Sequence, residues 1–101
     1  MDTDKRAELR RLVTAYLIGE LQPLETALAL SAYEAEAPDD IREPLMEMVG
    51  VASETDDILL GPRRSLWHPE VRAKEDQKHD KAQAWAAPIV QSACERLIMA
   101  L

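Results

Sequence analysis

Apolar residues recur along this chain with the period of a helix, and only briefly with that of a strand. Leu9, Leu12, Val13 and Tyr16 fall at i, i+3, i+4 and i+7, which predicts a helix from about Thr3 to Ile18 with these four on one stripe. Lys5, Arg6, Arg10 and Arg11 take its other faces. Thr3 suits an N-cap, and Gly19 suits the left-handed residue that ends a helix. Pro23, a favoured first helical residue, opens a second helix expected to reach about Ala35, with Leu24, Ala27, Leu28 and Ser31 facing inward. Pro38 breaks the pattern, and Asp39 or Asp40 caps a third helix whose stripe is Ile41, Leu45, Met48, Val49 and Ala52. Pro44 lies in or just past its first turn, where a missing N–H costs little, and Gly50 weakens its far end.

Residues 53–68 read as a loop, and Pro69 opens a fourth helix with His68 as its cap. The polar run 72–81 is either an exposed helix or a mobile segment, with Ala82 and Trp85 anchoring its end, and Pro88 is expected to stop or kink it. Ile89, Val90, Ala93, Cys94, Leu97, Ile98 and Leu101 then form the strongest helical stripe in the chain. There is no internal repeat and no hairpin signal. The expected fold is all-α: a single domain over residues 1–101, built as a bundle of four to five helices.

Composition narrows this further. A chain of 101 residues buries one modest core, with little room for a deep cavity and a lid. With only Tyr16, Tyr33, Trp67 and Trp85 as aromatics, that core must be mainly aliphatic. Cys94 is alone, so no intrachain disulfide forms and a reducing, cytoplasmic setting is expected. No apolar run approaches a membrane span, and the N-terminal residues lack the apolar core of a signal peptide.

Charge is the most uneven property. The net charge is −7, yet residues 21–60 carry ten carboxylates against one base, Arg42. Such a surface repels nucleic acid and anionic lipid and attracts basic proteins. The candidate partner-binding residues are Glu36, Asp39, Asp40, Glu43, Glu47, Glu54, Asp56 and Asp57. The bland alternative is a solvated acidic face that only keeps the protein soluble.

Other constellations are poorer. Glu54 and Asp57 form a Glu-x-x-Asp pair of the kind that helps hold magnesium in all-helical nucleotide hydrolases. Such a site here would use Glu43, Glu47, Glu54 and Asp57, but no Glu-x-x-Glu partner motif precedes them. Asp76, His79 and Asp80 lie within one exposed turn beside Lys78 and Lys81, a poor metal site, so His79 reads as a solvated surface residue. Arg63, Arg64 and Trp67 form either a recognition loop or a strap pinned to the bundle, and Cys94 reads as an inert buried thiol. No catalytic residue, cofactor or metal is assigned.

The run Tyr16-Leu17-Ile18-Gly19-Glu20-Leu21, followed by Leu24, Glu25 and Ala27, resembles the first helix and turn of small bacterial immunity proteins of the colicin D type. The resemblance covers about the first quarter of the chain. It implies an all-α acidic protein that plugs the basic active site of a toxin nuclease, with the acids of residues 34–57 as contacts. The expected function is therefore non-enzymatic binding and neutralisation of a basic partner. A phage-type inhibitor of a nucleic-acid-binding defence complex and a magnesium-dependent hydrolase are the alternatives. The wide stripe of the last helix also admits a homodimer.

Overall fold

The computed structural model describes residues 1–57 and 69–101, and over these the chain is helical with no strand. Its helices are α1 (Thr3–Leu17), α2 (Pro23–Ser31), α3 (Asp39–Glu54) and α4 (Pro69–Ala100), with a short 3-10 turn at Glu34–Glu36. The loop expectation for residues 58–68, including the roles of Arg63, Arg64, Trp67 and His68, lies outside the described residues. Helices α2 and α4 each pack against all the others, and α1 and α3 flank them.

The start of α1 is set by Asp2, not Thr3. Its Oδ1 accepts the Lys5 N–H at 2.8 Å, which makes Thr3 the first helical residue. The end is as expected: Gly19 takes φ +84°. Its N–H donates to the Tyr16 carbonyl at 3.0 Å, and the Glu20 N–H donates to the Ala15 carbonyl at 2.8 Å. That pair is a Schellman closure, which satisfies carbonyls the helix end would otherwise orphan.

Helix α2 stops four residues earlier than expected and turns a different face inward. Leu24 and Ala27 are buried as expected, but they are joined by Thr26 and Leu30, while Leu28 is 58% exposed. Packed by neighbours around a wide arc, α2 has more than one inner stripe. Thr26 tolerates burial because its hydroxyl donates to the Gln22 carbonyl at 2.8 Å.

Helix α3 runs straight through Gly50 and four residues beyond, absorbing Ser53 and Glu54 from the expected loop. Its inner face is Ile41, Pro44, Leu45, Met48 and Val51. Val49 and Ala52, expected in the core, are only half-buried. Pro44 lies inside the helix, and its missing N–H leaves the Asp40 carbonyl without an intrahelical donor. Asp40 is exposed, so water can serve that carbonyl, while the Pro44 ring is buried with the core. Asp39 and Asp40 sit in the first turn and do not cap it. Their charges still suit the positive end of the helix.

Pro88 does not end a helix. Helix α4 is continuous from Pro69 to Ala100, about 48 Å long at 1.5 Å per residue. The carbonyl orphaned by Pro88 belongs to exposed Ala84, where water can reach it, and buried Ala86 and Val90 hold the helix on either side. The Tyr16 hydroxyl donates to the Ala87 carbonyl at 3.3 Å, tying α1 to this point. Burial pushes the Tyr16 hydroxyl pKa up. Trp85, expected as an anchor, is 46% exposed.

The core is aliphatic, as composition requires. Leu9, Leu30, Ile41, Leu45, Met48 and Leu97 are fully buried, together with Val13, Val90, Ala93 and Cys94. Val90, Ala93, Cys94 and Leu97 of the last helix's stripe are thus spent inside the chain, while Ile89, Ile98 and Leu101 are half-buried. Burial pushes the Cys94 thiol up to about 12, so it stays protonated at neutral pH.

Besides Thr26, Gln83 is a buried polar side chain that reaches into this core. The Gln22 side chain makes no cap bond at the start of α2, and Gln83 of α4 supplies it across the bundle, its Oε1 accepting the Leu24 N–H at 2.8 Å. Replacing Gln83 by Leu strands that buried N–H. We expect a loss of about 1–3 kcal/mol in denaturant unfolding, the usual cost of an unsatisfied buried donor. A loss well below this range would show that water replaces the cap.

Candidate partner-binding face

On α3, Asp39, Glu43 and Glu47 follow at intervals of four, and Glu54 falls on the same side two turns later. The helix therefore gathers its carboxylates along one flank, opposite the buried Ile41–Leu45–Met48 face. Ion pairing then divides the eight sequence-derived candidates. Glu36, in the 3-10 turn, pairs with Lys5 of α1, which raises the Lys5 pKa through that hydrogen bond. Asp40 meets Arg6 of α1 at 3.4 Å. Glu47 pairs with Arg96 of α4. Asp57 meets Lys78 of α4 at 2.6 Å, and this hydrogen bond holds the Asp57 carboxyl below its ordinary range and raises Lys78. Asp39 has only a loose 3.7 Å approach to Arg42 and its side chain is fully exposed. Glu43, Glu54 and Asp56 are exposed and make no ion pair among the described residues.

These pairs are solvent-exposed and stabilise the fold little. Their effect is on the surface potential: Lys5, Arg6, Lys78 and Arg96 neutralise four carboxylates. Among the described residues, Glu43, Glu54 and Asp56 keep uncompensated charge on the outer flank of α3 and just beyond its C-terminal end, as Asp4, Glu20, Glu34 and Glu95 do elsewhere on the surface. Glu54, Asp56 and Asp57 lie where the helix dipole is already negative, and the last turn of α3 holds no base.

The cations of α1 are also committed elsewhere. Arg6 donates to the Ala100 carbonyl at 3.2 Å, and Arg10 donates to the Leu101 carbonyl. They supply positive charge to the end of α4, whose own last turn has none. Arg11 pairs with Glu8 one turn away. An open depression of about 440 Å³ runs along the outside of α1, lined by Ala7, Thr14, Ile18 and the two arginines Arg10 and Arg11.

Among the described residues no three carboxylate, histidine or cysteine side chains converge as a metal group. Glu43, Glu47, Glu54 and Asp57 are not brought together for magnesium, since Glu47 and Asp57 are drawn to different cations on α4. Asp76, His79 and Asp80 likewise form no such group.

His79 departs from expectation: its side chain is only 16% exposed. It belongs to a polar cluster the sequence reading missed. Gln83 Nε2 donates to Glu25 Oε1 of α2 at 3.2 Å and lies 3.3 Å from His79 Nε2. His79 Nδ1 lies 3.6 Å from Asp80 Oδ1. The available signal was spacing: Asp76, His79 and Gln83 fall at i, i+3 and i+7, a polar stripe in register with the apolar one that follows.

Comparison with protein-family models, curated proteins and solved structures finds no match to this chain.

Because Glu54 opposes the helix dipole, replacing it with Lys should stabilise the protein. The expected gain is about 1–3 °C in melting temperature at low ionic strength, fading in high salt. A fall in melting temperature would mean that Glu54 holds the fold together.

Proposed function

We propose that this chain is a small acidic binding protein that captures and neutralises a basic partner, most concretely an immunity-type inhibitor of a bacterial toxin nuclease. The observation that carries the reading is the trio Glu43, Glu54 and Asp56, exposed and without an ion pair among the described residues, where neighbouring acids crowd Glu43 and the dipole of α3 opposes Glu54 and Asp56. A nuclease holds its substrate's phosphates in a cationic cleft. Carboxylates presented from a rigid helix compete for the same lysines and arginines, and long-range attraction speeds the encounter.

The magnesium-hydrolase alternative draws no support from the placement of Glu47 and Asp57 beside Arg96 and Lys78. For a homodimer through the last helix, Val90, Ala93, Cys94 and Leu97 are already covered by the chain's own core, which leaves only half-buried Ile89, Ile98 and Leu101 and exposed Met99. A cytoplasmic site of action fits the single buried thiol, and no described helix is long and apolar enough to cross a membrane.

The test is inhibition of purified basic toxin nuclease domains by the purified chain. A neutralised nuclease should be titrated to inactivity at a 1:1 ratio (about one chain per enzyme), as expected for a plug over its cleft. The triple variant Glu43→Lys, Glu54→Lys, Asp56→Lys should bind it at least about 100-fold more weakly, with unchanged far-UV circular dichroism. Inhibition indifferent to these reversals, or no inhibition across the panel, contradicts the reading.

A further inference from the structure

The outer surface of α3 carries more than charge. Met46, Gly50 and Ser53 form an exposed column at i, i+4 and i+7, with Met46 54% exposed. On its α2 side, Val49, Ala52, Ser53, Ser31 and Asp56 line an open groove of about 280 Å³. Leu28, also prominently exposed, stands one helical turn before Ser31. Glu43 and Glu54 border the other side of the column.

Nothing among the described residues packs against Gly50 in a way that requires glycine. Its φ is not positive, and a Cβ built there would meet nothing within 4 Å. Helix interiors disfavour glycine, yet here the position leaves an open notch between an exposed methionine and unpaired acids. Exposed apolar side chains around a small-residue groove, with carboxylates at the rim, fit the helix-in-groove mode of recognition. The acids specify a cationic rim on the occupant.

A second copy of this chain does not fit. It would set −7 against −7. Its most basic described helix, α1, already commits Lys5, Arg6 and Arg11 to carboxylates and Arg10 to the end of α4.

We propose that the α2–α3 groove, together with the exposed surface beside it at Met46 and Gly50, docks an amphipathic basic helix of the partner protein. The apolar side of that helix packs on Leu28, Met46 and Val49, and its lysines or arginines reach Glu43, Glu54 and Asp56. This rests on the acidic-binder reading above and names the element that the acidic face receives.

The experiment measures fluorescence anisotropy of two labelled synthetic peptides binding the full chain at low salt. One is a Leu/Lys amphipathic helix of about 18 residues, five turns. The other is a Ser/Lys peptide of equal length and charge without an apolar side. The amphipathic peptide should bind about tenfold or more tighter. Gly50→Trp, which fills the notch, should cancel that advantage without weakening the Ser/Lys peptide. Met46→Glu, a second variant at an exposed site, should weaken the amphipathic peptide while tightening the Ser/Lys peptide, because it adds a carboxylate. Equal binding of the two peptides, or an advantage untouched by both variants, overturns the groove and leaves the acidic-binder reading standing. Binding of neither peptide overturns both.

Discussion

Everything in this fold leans on the apolar stripe of the second half of α4. Ala86, Val90, Ala93, Cys94 and Leu97 are all fully buried, and the three shorter helices supply the matching side chains Leu9, Val13, Leu30, Ile41, Leu45 and Met48. Burial of this kind is worth roughly 25 cal/mol per Å² of apolar surface, far more than any exposed ion pair here. The stripe therefore decides how the helices sit, and charges find their partners afterwards. Seating α3 along α4 brings Glu47 beside Arg96 and Asp57 beside Lys78, and seating α1 brings Arg6 to both Asp40 and the end of α4.

That order of causes has a consequence for the acidic face. Core packing neutralises some carboxylates and leaves Glu43, Glu54 and Asp56 outward and without an ion pair among the described residues. Neighbouring acids four residues apart repel, and acids at a helix C-terminus oppose its dipole. The protein tolerates both, with hydrophobic burial offsetting the strain. Local arrangements that work against stability are the ones for which a binding role is the natural physical account.

Much of the architecture was legible because it is local. The stripe of α1, the stop at Gly19, the start at Pro23 and the long apolar seam of α4 are all set by residues within a few turns of one another. The misses have a common origin in distant packing. Gly50 reads as a weak point and Pro88 as a stop or kink, yet burial on either side carries the helices through them. On α2 the run Ala27–Ala32 is too uniformly apolar to give a phase, so the exchange of Leu28 for Thr26 and Leu30 could only come from its three neighbours. The cross-bundle cap by Gln83 joins residues 59 positions apart. The acidic block was visible as composition, but its division into paired and unpaired members depends on contacts such as Lys5 with Glu36, 31 positions apart.

That division is the central claim, and carboxylate footprinting reads it most directly. Brief labelling with a water-soluble carbodiimide and an amine, followed by mass spectrometry, reports how freely each side chain reacts. The account predicts fast modification of Glu43, Glu54 and Asp56 and slow modification of Glu36, Asp40, Glu47 and Asp57, with the gap narrowing in about 1 M salt as the pairs are screened. Uniform rates across all seven, or Glu47 and Asp57 reacting as fast as Glu43 in low salt, would contradict it.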